Sequence, residues 1–134
     1  MTTPPPPPLG TVGWLDLTVP NAPAICDFYS RVVGWTITPH SMGDYDDFVM
    51  NATGTGEPIA GICHARGKNA GLPAVWLMYI TVADLDASLA ACEAAGGKVL
   101  APPRSAGGTA RFSVIEDPAG ACVALYDTGA RDGA

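Results

Sequence analysis

The chain repeats itself, and a repeat of this length leaves few folds open. Set "WLDLTVPNAPAICDFYSRVVGW" (14–35) against "LMYITVADLDASLAACEAAGGK" (77–98), and Trp14 falls on Leu77, 63 residues further on. Thr18-Val19 then matches Thr81-Val82, Asn21 matches Asp84, Ala24 matches Ala87 and Gly34 matches Gly97. One inserted residue later, Phe48 falls on Phe112, Gly56 on Gly120 and Ala60 on Ala124. Identity is thin, but residue classes keep step through both halves. A period of about 60 residues within one domain marks two copies of a single supersecondary unit.

Each copy reads the same way. A strand with period-2 alternation comes first, over 12–19 and again over 76–82. A helix follows, opened by a good N-cap residue, Asn21 or Asp84. In the second helix Leu85, Leu89 and Cys92 form one apolar stripe. "VVGW" and "AAGGK" then supply glycine where a helix C-terminus favours it. Three short extended segments complete each copy, at 35–39, 45–51 and 58–64, then at 98–102, 110–115 and 121–126. Turn chemistry separates them, "NATGTG" in one copy and "EDPAG" in the other, and "GKNAGLPA" links the copies. The unit is βαβββ, twice, in an α+β fold.

The totals exclude several classes of function. With 134 residues, 48% hydrophobic and 15% charged, the chain is one globular domain's worth. Thirteen acidic against seven basic residues give a net charge of −6, and no Lys/Arg stripe exists on which a phosphate backbone could lie. Nucleic acid is therefore not an expected partner. No apolar run approaches a membrane span, and no basic segment precedes an apolar leader, so a cytoplasmic location is expected. Cys26, Cys63, Cys92 and Cys122 are spread out among small apolar neighbours and read as buried free thiols. "MTTPPPPPLG" (1–10) reads as a disordered, solvated polyproline II tail, and 129–134 as a second flexible tail. Residues 11–128 form the domain, with modules at about 11–65 and 74–127.

One residue breaks the pattern. Asp16 lies in the middle of "VGWLDLTV", a strand otherwise apolar, aromatic or β-branched, where an unpaired buried charge is costly.

The stretches "LTVPNAPAICDFYSRVVGW", "YITVADLDASLAACEAAGGKV" and "VIEDPAGACVALYD" together resemble the vicinal oxygen chelate superfamily. That superfamily includes glyoxalase I, extradiol dioxygenases, methylmalonyl-CoA epimerase and bleomycin resistance proteins. The resemblance covers about residues 11–127, and "W-x-D-L", "W-L-M-Y" and "I-A-G-I" look closest to a glyoxalase-like bacterial branch. It implies two modules in pseudo-twofold arrangement, with curved sheets enclosing a central cavity and helices outside. Leu15, Leu17 and Val19 then pack under helices, as do Met78, Ile80 and Val82. Trp14, Asp16 and Thr18 face the cavity opposite Leu77, Tyr79 and Thr81. Ala60, Ile62 and His64 are expected to point inward, like Cys122, Ala124 and Tyr126. Whether Phe48 and Met50 or their neighbours face inward stays open, and Phe28 and Tyr29 read as packing.

The family's metal enzymes hold a divalent ion with one side chain from each half's first and last strand. Carried over, those positions are Trp14, Leu77, Ala60 and Ala124, none of which can donate an electron pair to such an ion. No metal and no cofactor are expected in the usual place. "HSMGDYDD" (40–47) reads as a solvated loop, since the spacing of its acids does not match a calcium loop.

Three functions remain open, the third being a protein–protein module whose cavity is vestigial. The first is a metal-independent binder of a small, largely apolar or aromatic molecule, for sequestration or resistance. Trp14, Phe48, Met50, Ile62 and Tyr126 would supply the walls, and Thr18, His64 and Tyr79 the polar groups. Asp16 would be the anchor. The second is an enzyme (a lyase, an isomerase or oxygenase-like) with Asp16 as general base and Tyr79 as acid or orienting group, or a metal enzyme with relocated ligands. A structural Asp16, hydrogen-bonded and inert, is the plain alternative to both. Homodimerisation is implied by the resemblance alone.

Overall fold

A computed structural model describes residues 7–129. Trp14–Leu77 form one compact unit, and residues 78–129 with residues 7–13 form the other. The chain is α+β, and each unit carries one βαβββ module.

The first module runs β1 (Val12–Val19), α1 (Ala22–Val33), β2 (Thr36–Ser41), β3 (Asp46–Asn51) and β4 (Pro58–His64). Its strand order is β2-β3-β4-β1, with β1 parallel to β4 and the other pairs antiparallel. Helix α1 has proline in its first turn, where the missing N–H costs nothing. Asn21, expected to cap it, makes no side-chain cap bond. The helix ends at Gly34, whose φ of 87° lets its N–H reach Ser30 O at 2.9 Å. Ala22 and Cys26 of α1 bury against Leu17, Val19, Met50, Ala60 and Ile62 of the sheet. Each fully buried large side chain here contributes about 1.5–3 kcal/mol. Outside this core Tyr29 stacks on Trp35 at 5.6 Å and accepts a hydrogen bond from Trp76 Nε1 at 3.0 Å. Tyr29 is thus packing, as expected, whereas Phe28 is 52% exposed.

The second module runs β5 (Leu77–Thr81), α2 (Leu85–Ala94), β6 (Lys98–Ser105), β7 (Arg111–Glu116) and β8 (Cys122–Asp127). Its order is β5-β8-β7-β6, again with the first and last strands parallel. Asp84 caps α2, accepting from Ala87 N at 3.1 Å. Buried Asp127 supports the same helix end, accepting from Leu85 N at 2.9 Å. Leu85 and Leu89 pack on Leu125, flanked by Ile80, Val82, Val99 and Ile115. Met78, expected under a helix, is exposed instead.

The proline-rich tail expected over residues 1–10 and the tail over 129–134 fall mostly outside the described residues. Within them, Gly10 N donates to Thr81 O at 2.7 Å. Among the described residues no helix is long and apolar enough to cross a membrane.

Candidate functional site

Each sheet has one face under its helix and one face without a helix, and strand register decides which side chains share a face. In β1, Leu15, Leu17 and Val19 belong to the helix-packed core, so Trp14, Asp16 and Thr18 occupy the opposite face. Directly paired strand residues point the same way, and Asp16 pairs with Gly61, Leu17 with Ile62 and Thr18 with Cys63. Gly61 and Cys63 therefore join Asp16.

That register corrects the sequence reading in the last strand. Ala60 and Ile62 pair into the helix-packed core, opposite the face that carries Asp16. Phe48 and Met50, whose direction the sequence left open, follow them, since Phe48 pairs with Ile62 and Met50 with Ala60. Met50 and Ile62 are both fully buried there. The cause is a hairpin length. Val49 lies opposite Gly61, while Val114 lies opposite Ala124, so the first module's last hairpin is two residues longer. A single offset of 64 through both strands is therefore one residue wrong in each, and one residue flips every side chain.

The helix-free face of the first module is built around Asp16. Trp14 Nε1 donates to Asp16 Oδ1 at 2.6 Å, so the odd carboxylate in an apolar strand is held by its own strand's indole. It lies over Gly61: a Cβ there would overlap Asp16 Oδ1 and come within 3.4 Å of Trp14 Nε1. Glycine at 61 is what lets the carboxyl group lie flat across β4.

Cys63 is the next position along. Burial, then the nearby Asp16 and Asp47 carboxylates and a hydrogen bond to Asp47, push its thiol far above the ordinary cysteine range. It is a proton donor here and not a nucleophile. Asp47 Oδ1 also accepts from His64 N at 2.9 Å and lies 3.4 Å from His64 Nδ1. With only 7% exposure Asp47 corrects the solvated-loop reading of "HSMGDYDD". β2 reaches Ser41 and β3 begins at Asp46, so His40 and Asp47 are paired strand residues; Asp44 and Asp46 remain exposed. His64 ends β4 on the side of Ile62, its ring edge-on to Tyr45 at 5.5 Å, and does not share the face of Asp16.

In the second module the register keeps the expected faces, Met78 excepted. Leu125 and Ile80 are under α2, so Tyr79 and Ala124, which pair, and Thr81 and Tyr126, which pair, lie on the helix-free face. Leu77 is fully buried at the start of β5. Phe112, opposite Tyr126 on β7, brings its ring 5.7 Å from that of Tyr79. Sequence reasoning named Trp14, Asp16, Thr18, Tyr79 and Tyr126 and missed Gly61, Cys63, Asp47 and Phe112. The "AGI" of β4 held the signal for Gly61, because a glycine inside a strand marks close approach.

The positions that the family uses for metal do not fit an ion. With Gly61 in place of Ala60 as the inward residue of β4, they are Trp14, Gly61, Leu77 and Ala124, and none carries a metal-donating lone pair. Trp14 turns an N–H, a donor only, toward Asp16. Among the described residues no group of three His, Cys, Asp or Glu side chains is arranged to hold a metal.

Comparison with known proteins agrees with this architecture. Residues 11–125 match the family model described as Glyoxalase/Bleomycin resistance protein/Dioxygenase superfamily, and the chain belongs to that family. It is 32% identical to the anthracycline biosynthesis protein DnrV of Streptomyces peucetius across 93% of its own length. The alignment takes in 50% of DnrV, so the chain spans about half the length of the relative it matches. Among solved structures it resembles methylmalonyl-CoA epimerase from Mycobacterium tuberculosis, with a TM-score of 0.54 at 15% identity, covering 86% of this chain and 85% of that one. It also resembles the hypothetical protein BH1468 from Bacillus halodurans C-125, with a TM-score of 0.57 at 7% identity, covering 93% and 99%.

Proposed function

We propose that this protein binds a small, largely apolar or aromatic organic molecule on its helix-free sheet faces, without a metal ion. Asp16 is the polar anchor. The observation that carries the reading is the carboxyl group of Asp16, fixed by Trp14 Nε1 at 2.6 Å over a side-chain-free Gly61. A group so oriented before any ligand arrives offers a hydrogen-bond acceptor at little ordering cost. The helix-free face of the second module, taken by itself, offers flat apolar surface from Tyr79, Phe112 and Tyr126, which suits a fused-ring molecule. The similarity to a protein named for anthracycline biosynthesis fits an aromatic, polyketide-like ligand. Sequestration in the cytoplasm, by a homodimer that engages neither membrane nor nucleic acid, completes the proposal.

The test is titration of wild type and Asp16→Asn with 1,8-dihydroxyanthraquinone, followed by calorimetry and product analysis. Weakened affinity without turnover supports the anchor. Turnover that is lost in the variant while affinity is kept makes Asp16 a general base and replaces binding by catalysis. Elemental analysis of protein purified without added metal belongs beside it. Stoichiometric zinc, iron, nickel or manganese overturns metal independence.

A further inference from the structure

We infer that the helix-free face of the second module recognises the acidic group of a planar aromatic ligand, and that Arg104 is the residue that reads it. The inference rests on the proposed small-molecule binding and goes further by naming the ligand's charge.

Two rows of side chains cross the sheet. Arg104 pairs with Phe112, Phe112 with Tyr126 and Tyr126 with Thr81, running from β6 through β7 and β8 to β5. Beside it run Ala101, Val114, Ala124 and Tyr79. Ala124, the strand partner of Tyr79, is small, and the Tyr79 ring lies 5.7 Å from that of Phe112 on the next strand, at a tilt of 44°. Tyr79 and Phe112 thus meet across β8, Tyr126 lies directly opposite Phe112, and Arg104 stands at the end of the row.

Arg104 is on this face because β6 is irregular. From Ala101, strict alternation would bring Pro103 to the Phe112 side and turn Arg104 away. The register shifts between Ala101 and Arg104, three residues on β6 against two on β7, and the extra residue returns Arg104 to the aromatic row. Pro102 and Pro103 are tolerated because β6 is an edge strand. Bulges of this kind re-aim one side chain, and here the re-aimed side chain is the charged one.

Charge selects the occupant. In a chain of net charge −6, the eight side chains of these two rows include a single charged group, and it is positive. Arg104 already has an interaction within the chain, but a guanidinium carries five N–H donors and can hold a neighbour on one edge while presenting another. A planar cation beside aromatic rings matches a carboxylate or ionised phenol attached to a ring: the ring stacks and the acid takes paired hydrogen bonds.

The test uses the full chain and two probes of equal shape, 2-naphthoate and 2-naphthamide, followed by calorimetry. Wild type is expected to bind the naphthoate at least about tenfold more tightly. Arg104→Gln is expected to erase that preference while leaving naphthamide affinity within about twofold, and Arg104→Lys to restore part of it. Equal binding of both probes by wild type, or a preference that survives Arg104→Gln, overturns the assignment while leaving the proposed function standing. Failure of wild type to bind either probe overturns the assignment together with the small-molecule reading beneath it.

Discussion

Gly61→Ala is a one-carbon change that tests how Asp16 is held. A Cβ at 61 would overlap Asp16 Oδ1, so the carboxyl group must leave its place over β4. Leaving breaks the 2.6 Å bond from Trp14 Nε1, a loss of about 1–1.5 kcal/mol, with a further ~1 kcal/mol for a half-buried indole N–H left unpaired. Against this, alanine in a strand interior gains about 0.5–1 kcal/mol over glycine. The net expectation is destabilisation of about 1–2 kcal/mol, or roughly 4–8 °C in Tm for a chain of this size. The assay is urea denaturation of wild type, Gly61→Ala, Asp16→Ala and the double variant. Once Asp16 is truncated the overlap is gone, so Gly61→Ala becomes neutral or mildly stabilising in that background. A coupling of about 2 kcal/mol is expected. Additivity within about 0.5 kcal/mol would refute the placement of Asp16 over Gly61.

Three further outcomes follow from the same geometry. Burial pushes the Cys26 thiol up to about 11 from the ordinary 9.0, so the unfolded chain releases its proton first; the thiol's contribution is complete below pH 9 and is lost by pH 11. Under reducing conditions wild type should lose about 2–3 kcal/mol more stability than Cys26→Ala as pH rises through that window, and identical slopes would sink the argument. Asp127→Ala removes the acceptor for Leu85 N and should cost about 1–2 kcal/mol with loss of α2 protection in hydrogen exchange; unchanged exchange there contradicts the capping role. Ala124→Leu puts a large side chain beside Tyr79, its strand partner, so ring-current shifts between Tyr79 and Phe112 should diminish in the aromatic NMR spectrum, and unchanged shifts would show that the two rings meet clear of position 124.

Much of the fold was legible because repetition, alternation and capping are local signals. β1 and β4 begin and end where the sequence places them, and Asp84 caps α2 as its position implies. The helix-packed faces of both first strands followed from alternation, Met78 excepted. What failed was counting across a hairpin. "NATGTG" spans more residues than "EDPAG", and the surplus turned Ala60 and Ile62 under α1 and put Gly61 and Cys63 beside Asp16. Arg104 was hidden for a related reason, since a bulge at paired prolines leaves no periodic trace. Asp47 looked like one acid among several until β3 was seen to start at Asp46, which buries the second of two adjacent aspartates and leaves the first in solvent.

The most direct measurement is face-resolved NMR of the full chain during titration with 2-naphthoate. The account predicts movement of the Tyr79, Phe112 and Tyr126 ring signals on the helix-free face of the second module, while the Leu85, Leu89 and Leu125 methyls under α2 stay still. Shifts confined to those methyls, or unmoved Tyr79 and Phe112 rings at saturation, would contradict it.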